Sequence, residues 1–223
     1  MAGPEHEQLT GGTVADLVER AMGALAAKRP VFHSEADFQH ALAWELHLRM
    51  PAAGVRLETR LSPDSSERLD LLFEQDKFRL AVELKYPLDA LAAWVDGEYF
   101  EVKSAGAWDI PRFSFIWDVV RLERLLAAGG ADAGAAVLLS NANTLWENRP
   151  PRVGAADTNY RLYDGRELAG RLGWTGTATW WKDKHPEFVE LTGSYLLTWR
   201  PYSMVAGRGR GEFRWTAAIV VGG

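Results

Sequence analysis

Asp70, Glu83 and Lys85 are the residues of this 223-residue chain whose types and spacing could do chemistry together. Asp70 sits in the run Arg-Leu-Asp-Leu-Leu-Phe (68–73). Glu83 and Lys85 sit in Phe-Arg-Leu-Ala-Val-Glu-Leu-Lys-Tyr (78–86). Two carboxylates a short distance apart can share one divalent cation through their outer oxygens, with an ammonium two residues further along the same face. Whether they meet depends on the elements that carry them.

Both runs alternate apolar and polar residues with a period of two, and the polar Glu-Gln-Asp-Lys (74–77) lies between them, so the stretch is predicted to be a β-hairpin. Phe78, Leu80, Val82, Leu84 and Tyr86 share one face of the second strand, and Arg79, Ala81, Glu83 and Lys85 share the other. Leu69, Leu71 and Phe73 share a face of the first strand. With 74–77 as the loop, Phe73 is expected opposite Phe78, Leu71 opposite Leu80 and Leu69 opposite Val82. A slip of one residue would turn one strand inside out. In this register Asp70 faces Ala81, with Glu83 as its diagonal neighbour ~7–8 Å away, and Arg68 lies opposite Glu83.

Asp70 followed by Glu83-Leu84-Lys85 resembles the motif of the PD-(D/E)XK nuclease superfamily, whose fold is restriction-endonuclease-like. No Pro precedes Asp70, and the literal Pro63-Asp64 falls in a Ser-rich loop. The resemblance implies an α/β fold with an αβββαβ core and a Mg²⁺- or Mn²⁺-dependent endonuclease acting on DNA. It also implies a restriction or phage-defence role, with a defence-system protein as a partner; a homodimer would account for cutting both strands. Asp70, Glu83 and the backbone carbonyl of Leu84 are then the expected metal ligands, since Mg²⁺ is hard and takes oxygen donors. Lys85 would orient the attacking water or stabilise charge on the phosphate. A helix before the sheet often carries a further acid in this family, and Glu35 is the candidate, with Gln39 one turn later and Glu45 in reserve. A plainer reading makes Glu35 a first-turn acid on the helix dipole.

Composition bounds the classes. With 47% hydrophobic residues the chain can bury a full core as one domain. The absence of Cys excludes disulfides, thiolate nucleophiles and Cys-based zinc sites. No signal-like apolar stretch and no run of about 18 apolar residues is present, so a cytoplasmic protein without membrane attachment is expected. A net charge of -5 argues against broad electrostatic capture of nucleic acid but leaves room for a local basic groove.

Residues 1–12 read as a loose tail and 13–223 as a single domain, its core at about 13–145 and a β-rich extension at about 146–223. Thr13-x-x-Asp16 resembles a capping box opening a helix that Pro30 ends. Ser34 caps a second helix that runs to about Arg49. A short strand at 55–58 precedes the hairpin, residues 88–95 are expected to form a short helix, and Asp96-Gly97 a turn. Phe113–Ala127 has helical spacing with Gly129-Gly130 as its stop, and Ala135–Leu139 is an apolar run suited to a strand buried on both faces. In the extension, 194–199 and 213–221 read as strands joined by a flexible Gly-Arg-Gly-Arg-Gly loop (207–211). His33, His40 and His47 repeat every seven residues, ~10 Å apart on one helix, too far to share a metal. Arg68, Gln39, Arg208 and Arg210 are the candidate nucleic-acid contacts, and the ten Trp read as core or as base-stacking surfaces.

Three classes compete: the nuclease, a catalytically inactive module of the same fold that binds nucleic acid or a protein, and an unrelated α/β protein. In the last, Arg68 and Glu83 form an ordinary cross-strand pair of ~0.2–1 kcal/mol and Asp70 and Lys85 are mere charge neighbours.

Overall fold

The computed structural model describes residues 11–60 and 66–222. Most of the expected tail and the Pro63-Asp64 pair lie outside the described residues.

Helix α1 (Gly11–Lys28) begins two residues before the expected Thr13 cap and stops short of Pro30. Helix α2 (Glu35–Arg49) starts where Ser34, in extended backbone, accepts the Asp37 amide at 3.1 Å on its hydroxyl. There follow β1 (Gly54–Arg60), β2 (Arg68–Gln75), β3 (Phe78–Lys85), β4 (Leu91–Val95) and β5 (Glu98–Val102). Helix α3 (Asp109–Ala127) leads to β6 (Ala133–Ser140) and a one-turn helix, α4 (Asn143–Trp146). The chain closes with β7 (Glu167–Gly173), β8 (Phe188–Leu196), β9 (Arg200–Met204), β10 (Arg208–Gly209) and β11 (Glu212–Val221).

The protein is a mixed α/β fold. Six strands form one sheet in the order β1-β2-β3-β6-β11-β9. The β3–β6 pair is parallel, as its crossover through α3 requires, and the other pairs are antiparallel. The C-terminal strand β11 lies beside β6 in the middle of this sheet, and every residue of β6 is buried. One face of the sheet packs on α1, α2 and the β4–β5 hairpin; the other packs on α3, with the β7–β8 pair behind it. Among the described residues no helix is long and apolar enough to cross a membrane.

The structure corrects the hairpin. Gln75 pairs with Phe78, so Asp76-Lys77 alone make the turn, with Asp76 in the left-handed region at φ 55° that Asp tolerates. Phe73 therefore lies opposite Leu80 and Leu71 opposite Val82, two residues from the expected register. A shift of two preserves the alternation of faces, so the apolar sides still coincide, but Arg68 is not opposite Glu83. Leu69 also parts from Leu71 and Phe73: it packs toward α3, they toward α1 and α2.

Residues 91–95 form a strand rather than part of a helix, because β5 pairs along their whole length across the Asp96-Gly97 turn. The Gly-Arg stretch is not a free loop. β10 pairs with β4, and a Cβ at Gly209 or Gly207 would come within 2.1 or 2.6 Å of a β4-side carbonyl, so glycine is what lets the strands approach. Of the expected strand at 194–199, residues 194–196 end β8 and 197–199 lie in no strand, in the connection to β9.

Candidate active site

The site begins where the sheet splits. β2 and β3 are paired only as far as Leu71–Val82, whereas β2 stays on β1 through Leu69–Thr59 and Arg68–Arg60. Glu58 of β1, level with Asp70, takes φ 53°, a local distortion of the edge strand. Beyond this point β2 and β3 diverge, and the β3 amides on that side lose their ladder partners.

Carboxylates replace them. Asp70 Oδ2 accepts the Leu84 N–H at 2.7 Å, and Glu35 Oε2, from the first turn of α2, accepts the Tyr86 N–H at 2.7 Å. Both amides are thereby satisfied, as buried backbone donors must be. Gln39, one turn after Glu35, is 6% exposed and donates to the Asp70 carbonyl at 2.8 Å and to Glu58 Oε1 at 2.9 Å. The fork is thus held open by one helix and filled with acids.

Glu83 and Lys85 occupy the β3 face that looks toward α3, and α3 answers with Asp118 and Arg121, one turn apart. Lys85 Nζ lies 2.8 Å from Asp118 Oδ2 and donates to the Leu84 carbonyl at 2.9 Å. Arg121 Nη1 lies 3.4 Å from Asp118 Oδ1, and its Nη2 lies 3.1 Å from Glu83 Oε1. That same Nη2 donates to the Arg68 carbonyl, and Glu83 Oε1 accepts no hydrogen bond among the described residues.

The electrostatics follow from this crowding. Glu83 is 1% exposed, and burial pushes its carboxyl up to about 9, with repulsion from Asp118 and Asp70 adding to it and Arg121 and Lys85 opposing. Burial likewise pushes Asp118 up to about 6 against the pull of Lys85 and Arg121. Burial works to lower the Lys85 ammonium, but Asp118, then Glu35 and Asp70, outweigh it and hold it above the ordinary lysine range. Lys85 is therefore a fixed cation near neutral pH and not a proton acceptor.

Asp70, Glu83, Lys85 and Glu35 thus gather around the end of β3. Leu84 presents its carbonyl there as well. Gln39 and Arg68 serve the fork from within: Arg68 donates to the Glu58 carbonyl at 2.8 Å, and its own carbonyl holds Arg121. Arg208 and Arg210 lie on the β10–β4 side; Arg208 is exposed, and Arg210 is paired with Asp89 at 2.8 Å. Glu45 stands apart, bound by Lys28 and Arg49. His33 precedes α2, bonds Glu98 at 2.8 Å and stacks on Phe100, while His40 and His47 line a shallow apolar groove with Trp44.

Asp118 and Arg121 did not stand out from spacing alone. Their signal was a pair of opposite charges set among Ile116, Val119, Val120 and Leu122, in the helix that must cover the charged face of β3.

Among the described residues no group of three or more His, Asp or Glu side chains is arranged to hold a metal ion. The smaller set of Asp70, Glu83 and the Leu84 carbonyl offers hard oxygen donors of the kind Mg²⁺ accepts. Asp118 and Asp70 both repel charge on Glu83, a repulsion that a cation held by Asp70, Glu83 and the Leu84 carbonyl would relieve. No protein-family model matches this chain, and neither the curated proteins nor the solved structures contain a match to it.

Proposed function

We propose that the protein is a metal-dependent endonuclease of restriction-endonuclease-like fold that hydrolyses DNA phosphodiester bonds. The observation that carries the reading is the β2–β3 fork, which brings the Asp70 carboxylate onto the Leu84 amide between Glu83 and Lys85. The succession of three antiparallel strands, a crossover helix and a parallel fourth strand supports the same reading.

Asp70, Glu83 and the Leu84 carbonyl would hold Mg²⁺ or Mn²⁺. Bound there, such an ion acts as a Lewis acid toward phosphate oxygens and lowers the pKa of water. Lys85, held cationic by Asp118, stabilises the negative charge that builds on the phosphate as the water oxygen bonds to phosphorus and the ester oxygen leaves. Glu35 and Gln39 keep the end of β3 and Asp70 in place, and Arg121 holds Glu83 in the absence of other cations.

The Arg121–Glu83 and Lys85–Asp118 pairs favour a second reading, an inactive module of the same fold that binds nucleic acid or a protein. They neutralise much of the cluster from within. Supercoiled plasmid incubated with Mg²⁺ or Mn²⁺, beside Glu83→Ala and Lys85→Ala, separates the two. Nicking by the parent and its loss in both variants is the result expected of the nuclease. Retention of DNA without nicking would assign the module instead.

A further inference from the structure

A second charged region lies at the other end of α3. A cavity of about 560 Å³ opens beside the N-terminus of that helix, between it and the segments around 149–161 and 178–180. This is within the ~300–1,000 Å³ of ligand pockets and much larger than a lone inorganic ion needs. Arg112, Arg149, Arg152 and Arg161 line it, against Asp109 and Asp157 as the only lining acids among the described residues. In a chain of net charge -5 this is a local reversal of sign.

The partners of these arginines leave positive charge over. Arg112 is 7% exposed and is matched by Asp157 and by the carbonyl and hydroxyl of Thr144 at 2.8 and 3.0 Å, yet its Nε has no hydrogen-bond partner among the described residues. Arg149 pairs with Glu147. Arg161 is 9% exposed, its side chain reaches the Glu147 carbonyl only at 3.5 Å, and no carboxylate lies within ion-pair distance of it among the described residues. The exposed Arg152 side chain makes no hydrogen bond or ion pair among them. A buried guanidinium without an acid is an expensive arrangement unless an anion completes it. Burial, and next the neighbouring Arg112, lower the pKa of Arg161 with Asp157 opposing, and an anion in the cavity would add to that opposition.

The shape and lining narrow the anion. Guanidinium forks match phosphate oxygens in pairs, so the arginines carry the anion contact; the α3 N-terminus adds little, because Asp109 accepts the Ile110 N–H at 3.0 Å and Pro111 has no N–H. Trp108 and Trp180 line the same cavity, and an indole is a surface on which a planar ring can stack. We propose that this cavity is a binding site for a nucleoside phosphomonoester, its phosphate held by Arg161 and Arg152 and its base laid against the tryptophans. Two sources carry this chemistry: free mononucleotides and the 5′-phosphorylated ends of nucleic acid. The site is separate from the carboxylate cluster and does not depend on the nuclease reading.

Isothermal titration calorimetry of the full chain in EDTA tests it, with dAMP, deoxyadenosine, and a short oligodeoxynucleotide with and without a 5′-phosphate. The absence of divalent ions makes the readout independent of the Glu83 cluster. Binding of dAMP with at least a tenfold loss for deoxyadenosine is expected, with a tenfold or greater loss in Arg161→Gln and a several-fold loss in Arg152→Glu. Arg152 is exposed, so its variant reports on the cavity even if Arg161→Gln fails to fold. Tighter binding of the phosphorylated oligonucleotide than of dAMP assigns the site to nucleic-acid ends; equal or weaker binding assigns it to free nucleotides. No heat with dAMP, equal affinity for dAMP and deoxyadenosine, or Arg152→Glu binding as the parent does would each overturn the proposal.

Discussion

Two buried glutamates, Glu83 on β3 and Glu123 on α3, are treated oppositely by their surroundings. Glu123 is saturated with donors. Its oxygens accept the Thr192 amide at 3.0 Å, the Gly193 amide at 2.8 Å and the Tyr195 hydroxyl at 2.8 Å, stitching α3 to β8. Glu83 faces charges instead: Arg121 at 3.1 Å, and Asp118 and Asp70 near enough to raise its pKa. A buried acid wrapped in neutral donors stabilises a fold, whereas one set among other acids is held in readiness for a cation or a proton.

The widest separation is expected from removing each acid in turn. Glu123→Ala leaves two amides and a hydroxyl without an acceptor and is expected to lose on the order of 3 kcal/mol of stability in urea denaturation. Glu83→Gln keeps the shape of a carboxyl that burial already favours in its protonated form, and should hold or raise stability while abolishing plasmid nicking. A Glu83→Gln variant as unstable as Glu123→Ala would erase the contrast. Lys85→Ala comes next: it takes away the fixed cation at the cluster, and nicking rates in Mg²⁺ should fall on the order of 100-fold.

The pH dependence sharpens the comparison further. Glu83 rises from 4.5 when unfolded to about 9 in the fold, so between these values the folded protein holds the extra proton. Its contribution is therefore fully present below about pH 4.5 and is lost as pH rises toward 9. Thermal melts at pH 6 and pH 9 should show Glu83→Gln gaining on the parent as pH rises. Gln39→Ala is the mildest change: the Asp70 carbonyl and Glu58 each lose a donor, for about 1 kcal/mol in the same denaturation assay.

Much of this architecture could be read from residue order because local and tertiary preferences agree there. Ser34 caps α2 as its type suggests, and the apolar run of β6 is buried throughout. That Asp70 and the Glu83–Lys85 strand belong to one hairpin also followed from alternation, although Ala81 lies opposite Leu72 and not Asp70. The register did not, because alternation is blind to shifts of two and the choice fell to Asp76, which closes a tighter turn. Leu-Ala-Ala-Trp-Val (91–95) carries helix-favouring residues, and it is pairing, with β5 across the Asp96-Gly97 turn and with the distant β10, that makes it a strand. Asp118 and Arg121 were hidden for the same reason: a helix pattern shows which residues are polar, not which polar residues are covered.

The fork in the sheet has a mechanical side. A hairpin whose two apolar faces match equally well in registers two residues apart could slide between them like a ratchet without teeth. The Asp70 carboxylate clasped to the Leu84 amide supplies the tooth, since sliding by two residues would tear that bond and strand the amide in a water-poor crevice. The aspartate fastens the hairpin before any chemistry is asked of it.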